Sequence, residues 1–284
     1  MTGIFPLDTT PAQAITPNQA LWEKGDFTRI AQTMRQSGDA FVATLGLTHG
    51  MRVLDVGCGD GTTAIPAARR GADVMGVDIA RNLVTAATER AAAEGLGNCR
   101  FLQGDVMDLA EIDDASFDLT ISIFGAMFAP RPLDTAEELV RVTRPGGRII
   151  MGNWIPGDPT LVAQILRISS AYTPTPPAGF ISPMTWGIES EVVERFGAAG
   201  VPADRIAFSR ERWVFRHDGS PGSLLALFRG YYGPTMNAFD AAMKAGKEDE
   251  LYSELDALFT AQNTSQSDER TEIPATFLRV EVRR

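Results

Sequence analysis

Apolar positions along the chain follow two different rhythms. Between residues 53 and 153, short apolar runs alternate with stretches whose apolar residues return every three or four positions. The runs at 53–56, 73–77, 99–104, 117–124 and 148–153 have the length and content of buried strands. The stretches at 62–70, 82–94 and 132–142 have helical spacing. Gly95 closes the second of these and Pro132 opens the third. Pro66 fits the first because the opening N–H groups of a helix have no partner to lose. Strands and helices in strict alternation predict an α/β fold: a doubly wound, mostly parallel sheet with helices on both faces.

Outside that region the rhythm changes. Residues 1–18 are rich in Thr, Pro and Gln and are expected to be irregular. Leu21, Trp22, Phe27, Ile30, Met34, Phe41, Val42 and Leu45 recur at helical intervals, which predicts a helix over 27–45 stopped by Gly46. After Ile155 come a helix at 161–171, a loop dense in proline at 173–183 and a second helix at 189–197. Residues 205–216 have β character, 221–261 are helical, 264–272 form a polar loop and 277–282 alternate as a final strand. The division that follows is a helical cover (1–46), a core (47–154), a lid or surface insertion (155–203), and C-terminal strands with a helical insertion (204–284). That last insertion reads as lid or homodimer surface.

The candidate chemistry sits at Arg52-Val53-Leu54-Asp55-Val56-Gly57-Cys58-Gly59-Asp60-Gly61. A strand, a glycine turn and a helix expose free backbone N–H groups and let a ligand approach closely. The second strand ends at Asp78, where one carboxylate can accept two ribose hydroxyls. The third ends at Asp105. Three strand ends thus converge on one crevice. The glycines do not have the G-x-G-x-x-G spacing of the dinucleotide fingerprint; theirs is G-x-G-x-G.

That spacing resembles the first motif of the class I S-adenosylmethionine-dependent methyltransferases. Gly104-Asp105-Val106 resembles the family's adenine turn. Phe117-Asp118-Leu119-Thr120-Ile121-Ser122 resembles its fourth strand, and Arg144-Pro145-Gly146-Gly147-Arg148-Ile149 the turn into its fifth. The resemblance runs from about residue 47 to 154 and is nearest to the ubiquinone/menaquinone-biosynthesis group. It implies a seven-stranded Rossmann-like sheet with helical lid insertions and S-adenosylmethionine as cofactor. It also implies roles for single residues. Gly57, Cys58, Gly59 and Gly61 would cradle the methionine part and ribose, with Asp55 organising the turn. Asp78, followed by Ile79, would take the ribose hydroxyls. Asp105 and the N–H of Val106 would meet adenine, and the carbonyls near Ile123 and Phe124 the α-ammonium.

Composition narrows the acceptor. A net charge of −10 argues against nucleic acid and against an anionic membrane surface. The Asn- or Asp-Pro-Pro-aromatic run of amino methyltransferases is replaced by Ser122-Ile123-Phe124-Gly125. With 44% hydrophobic residues, the chain is of ordinary globular composition and has no run of the ~20 apolar residues that a membrane span needs. Two cysteines, no apparent signal segment and no metal motif point to a reducing, cytoplasmic setting. A small hydrophobic acceptor follows, in a cavity that Phe124, Phe128, Trp154, Tyr172, Phe180, Trp186 and Tyr231 are candidates to line. Each of these rings fits a core position equally well. His49 lies at the N-terminal end of the first strand, away from where such sheets bind ligands. His217, Tyr172, Glu189 and Tyr231 are weak candidates for a base. A nicotinamide-dependent oxidoreductase is the competing reading, although no Tyr-x-x-x-Lys pair is present. A non-catalytic S-adenosylmethionine-binding protein and a methyltransferase acting on protein or nucleic acid are the remaining alternatives.

Overall fold

The structure, a computed structural model, describes residues 15–267 and 269–284. Two helices come first, α1 (Pro17–Glu23) and α2 (Thr28–Ala43). The expectation of irregular chain over 1–18 lies outside the described residues as far as 14, and is wrong from Pro17 onward. Thr16 caps that helix by accepting from Gln19 N at 3.1 Å, and Pro17 occupies its first turn.

The alternating region follows as β1 (Arg52–Val56), α3 (Ala64–Arg69), β2 (Asp73–Asp78), α4 (Arg81–Ala93), β3 (Cys99–Gln103), β4 (Phe117–Ile123), α5 (Pro132–Val142) and β5 (Thr143–Trp154). Then come α6 (Leu161–Ser170), α7 (Glu189–Ala198), β6 (Ile206–Asp218), α8 (Pro221–Tyr231), α9 (Gly233–Lys244), α10 (Glu248–Gln262) and β7 (Arg270–Arg283). The seven strands form one sheet in the order β3-β2-β1-β4-β5-β7-β6. β1 to β5 run parallel, while β7 is antiparallel to both β5 and β6. Helices cover both faces. The strand order reverses between β1 and β4, and a sheet of this kind opens a crevice at the carboxyl ends on either side of that point.

β1 is buried from Val53 to Val56, as a strand covered on both faces must be. Two boundaries differ from the sequence reading. β5 begins at Thr143, because Pro145-Gly146-Gly147 is held in the sheet. Gly146 N donates to Arg284 O at 2.8 Å, and Arg284 N donates to Gly147 O at 3.0 Å. β7 begins at Arg270 and contains Pro274, which a two-sided strand rejects. β5 pairs with β7 only over residues 277–283, so at Pro274 the strand has a partner on one side, Val214. The missing N–H therefore costs no ladder bond.

Candidate active site

The site grows out of the turn after β1. Gly57, Gly59 and Gly61 have φ of +67°, +55° and +83°, values that cost other residues strain. The N–H groups of Gly57 and Cys58 donate to Val77 O at 2.8 and 3.1 Å, which fixes the turn against β2. A Cβ on Gly57 would lie 2.6 Å from Gly125 Cα, so the turn touches the end of β4 backbone to backbone. A Cβ on Gly59 would meet nothing within 4 Å. Gly59 thus faces open space that a side chain would fill. Across from it Phe124 is held at φ +61°, a region disfavoured for a bulky residue and typical of functional sites. Its N–H donates to Gly152 O at 2.9 Å, and its ring stacks on Trp154 at 3.7 Å.

Acidic groups ring the turn. Asp78 is buried, and its two oxygens accept from Gly59 N at 2.8 Å and Ala80 N at 2.9 Å. Burial pushes its pKa up, and those N–H bonds oppose the rise. Asp55 is fully buried behind the turn. One oxygen accepts from the Thr63 hydroxyl at 2.6 Å and the other has no partner. Burial, reinforced by the Asp78 charge, raises its pKa to about 7. Asp60 is fully buried between Arg35 Nη2 at 2.7 Å and Arg90 Nη1 at 3.1 Å, and also accepts from Thr62 at 3.0 Å. Asp105 closes its own turn by accepting from Met107 N at 3.0 Å.

A cavity opens over these groups, with a volume of about 1150 Å³ counting its mouth to solvent. That is room for a cofactor and a second small molecule. One wall is polar and carries Gly57, Cys58, Gly59, Asp60, Asp78, Ile79, Asp105 and Val106, with Ile123 and Phe124 beside it. The opposite wall is apolar, formed by Trp22, Phe27, Ile30, Met34, Phe128, Trp154, Val162, Trp213, Phe215, Phe228 and Tyr232. An arc of rings joins the two walls. It runs from Phe124 to Trp154, then Phe215 at 6.3 Å, Phe228 at 5.7 Å, Tyr232 at 5.5 Å and Trp22 at 6.2 Å.

Most of a protein-family model described as a methyltransferase domain coincides with this frame, matching residues 54–151. An uncharacterized protein of Mycobacterium tuberculosis is 35% identical over 244 residues, 84% of this chain and 85% of that one. The chain belongs to the class I S-adenosylmethionine-dependent methyltransferases. A sterol 24-C-methyltransferase of Gibberella zeae is 36% identical over 116 residues, 40% of this chain and 30% of its own. The YcgJ protein of Bacillus subtilis superposes with a TM-score of 0.57 over 88% of this chain and 98% of its own, at 20% identity, which shows the shared fold. The nicotinamide reading falls with these matches.

Several expectations for this methyltransferase need correction. Asp55 and Gly61 do not line the cavity; they support the turn from behind, and a Cβ on Gly61 would meet Ile65 at 3.0 Å. Of the seven candidate rings, Phe124, Phe128 and Trp154 reach the cavity. Tyr172 instead donates to Glu254 at 2.6 Å, Phe180 is 54% exposed, and Trp186 is buried beneath Arg195. Tyr231 points elsewhere and its neighbour Tyr232 takes the place. Within 155–203, only Val162 lines the cavity; the apolar cover comes from α1, α2 and the end of α8. His217 hydrogen-bonds Ser223 at 2.9 Å, and burial lowers its pKa; it does not line the cavity. Among the described residues no acidic, His or Cys cluster could hold a metal, and no helix is long and apolar enough to cross a membrane.

Proposed function

We propose that this enzyme methylates a small hydrophobic organic acceptor, with S-adenosylmethionine held on the polar wall and the acceptor on the apolar one. The observation that carries this reading is the division of one cavity into those two walls. The polar wall fits the cofactor. Gly59 leaves the space a side chain would take, and Gly57 brings the turn against β4. Asp78 has lone pairs beyond those taken by Gly59 and Ala80, available to two ribose hydroxyls. Ile79 borders the same space. Asp105 and the N–H of Val106 are placed for an adenine edge, and the carbonyls of Ile123 and Phe124 for an ammonium. Cys58 lies within the cradle, and burial raises its thiol pKa well above the ordinary value, so it stays a neutral wall group.

When bound, the cofactor supplies a methyl group activated by its sulfonium for in-line displacement. The protein's contribution is then to hold two molecules in attack geometry and to keep water out. Trp22, Phe27 and Phe228 exclude water from the apolar half. No Lys, Arg or His lines the cavity among the described residues. A phosphate or carboxylate on the acceptor would find no cation there, which supports a neutral small molecule over nucleic acid.

Calorimetric titration tests the cofactor half. S-adenosylmethionine is expected to bind at micromolar concentration, and Asp78→Ala to weaken it by ~2 kcal/mol, the loss of charge-assisted hydrogen bonds. Asp78→Asn keeps two acceptor-capable sites' worth of volume and separates this loss from collapse of the turn. Binding of NADH in place of S-adenosylmethionine would overturn the reading.

A further inference from the structure

The apolar wall contains one hydroxyl. Tyr232 follows the last turn of α8, where its N–H donates to Phe228 O at 3.1 Å. Its ring lies against Trp22, Phe27 and Phe228 and the residue is 6% exposed. It lines the cavity. No described residue hydrogen-bonds its hydroxyl, and burial alone perturbs the phenol, raising its pKa. Other polar hydrogens on the molecule's aromatic residues are accounted for differently. Trp213 Nε1 is closed off and unpartnered, and the Tyr172 hydroxyl is spent on Glu254.

A hydroxyl turned into an apolar cavity without a partner is unfavourable unless something arrives to meet it. We propose that Tyr232 is the specificity-determining anchor of the acceptor, which is a hydrophobic molecule carrying a neutral oxygen, such as a carbonyl or ether, that accepts the Tyr232 O–H. The inference rests on the reading that the apolar wall receives the acceptor. Its chemistry follows from what surrounds the phenol. The raised pKa keeps the proton in place at neutral pH, so Tyr232 donates and does not act as a base. Phe27, Phe228 and Trp22 offer no charge, so an ionised oxygen would enter without a counter-ion. The anchor lies at the far end of the ring arc from Phe124 and the glycine turn. The oxygen it holds is therefore distant from the methylated atom, and Tyr232 sets which molecule is accepted and how it is oriented. A site built to hydrogen-bond an oxygen discriminates strongly against the analogue lacking it, whereas a purely apolar pocket does not.

The test uses a pair of probes of equal shape, 2-acetylnaphthalene and 2-isopropenylnaphthalene, titrated calorimetrically into the full chain saturated with S-adenosylhomocysteine. The wild type is expected to bind the ketone at least ~10-fold more tightly than the hydrocarbon, the fold-change of one satisfied buried hydrogen bond. Tyr232→Phe is expected to abolish that preference while leaving the hydrocarbon and S-adenosylhomocysteine affinities unchanged. Tyr231→Phe, outside the cavity, is expected to retain it. A preference that survives in Tyr232→Phe, or a wild type with none, overturns the proposal. Failure of both naphthalenes to bind the S-adenosylhomocysteine-loaded enzyme overturns the assignment of the apolar wall to the acceptor as well. Failure of S-adenosylhomocysteine itself to bind overturns the cofactor assignment and removes the basis of this proposal with it.

Discussion

Asp55 shows how a single buried carboxyl can tie stability to pH. In the unfolded chain it titrates near ~3.9; folded, at about 7. Between those values the folded chain keeps a proton that the unfolded chain has released. The stability this gives is complete below about pH 4 and is lost as pH rises through 7. Asp78 is shifted in the same direction. Asp55→Asn keeps an acceptor for Thr63 and removes the titration. Urea melts at about pH 5 and about pH 8 are expected to show a smaller fall in unfolding free energy for the variant than for the wild type. An equal fall would assign the dependence to Asp78. Legibility at this scale was uneven. The glycine turn, Asp78 and Asp105 carry chemistry in their spacing and could be read directly. Tyr232 could not be told from Tyr231, because adjacent helical positions point about 100° apart and both sit in an apolar stretch. Trp213 and Phe215 alternate like any half-buried strand, and that pattern does not reveal that the face they share looks onto a cavity.

The next scale is how elements are joined around the turn. Asp60 connects three of them: its own loop, α2 through Arg35 and α4 through Arg90. Either arginine alone leaves the buried carboxylate a partner. Losing both strands a charge, which costs ~3–5 kcal/mol where a buried pair is broken. The double variant Arg35→Ala/Arg90→Ala is therefore expected to be destabilised by more than the sum of its single variants, by ~1 kcal/mol or more in denaturant melts. Strict additivity would mean that Asp60 is satisfied by Thr62 and solvent. This link also explains why the cover over the cavity could be anticipated only in part. The apolar spacing of α2 was plain in the sequence. The cover formed by the end of α8 was not, since residues 155–203 come earlier and are rich in proline, which suggested a lid there. The structure brings α8 back instead, through a packed layer in which Phe228 meets Phe259 of α10 at 5.3 Å.

For the whole molecule, the inner edge of the cavity and the sheet share one residue. Phe277 of β7 lies 5.3 Å from Phe124 and 6.1 Å from Trp213 ring to ring, and is 1% exposed. Phe277→Ala is expected to cost ~3–5 kcal/mol through the cavity it leaves, read as a lowered thermal midpoint, and to weaken apolar ligands along with it. A ligand defect without a stability defect would show that the sheet closes over the gap. The parallel region and its order were legible because alternation and handed crossovers leave few topologies. The extent of β6 and β7 was not. Their pairing spans thirteen registers, Ile206 with Val282 through Asp218 with Arg270, and it depends on partners far apart in the chain.

That placement of β7, between β5 and β6, bears on how the protein is made. As the chain leaves the ribosome, β6 emerges before the only strand it pairs with, and residues 219–269 must follow first. At ~5–20 residues per second, that interval is roughly 3–10 s. Throughout it, a strand bearing Phe208, Trp213 and Phe215 has two open edges and is a template for another nascent copy. Arg210, Glu211, Arg212 and Arg216, interleaved with those rings, place charge along the strand where it would otherwise join a neighbour. Their value to the enzyme lies in synthesis, before there is any sheet for them to decorate.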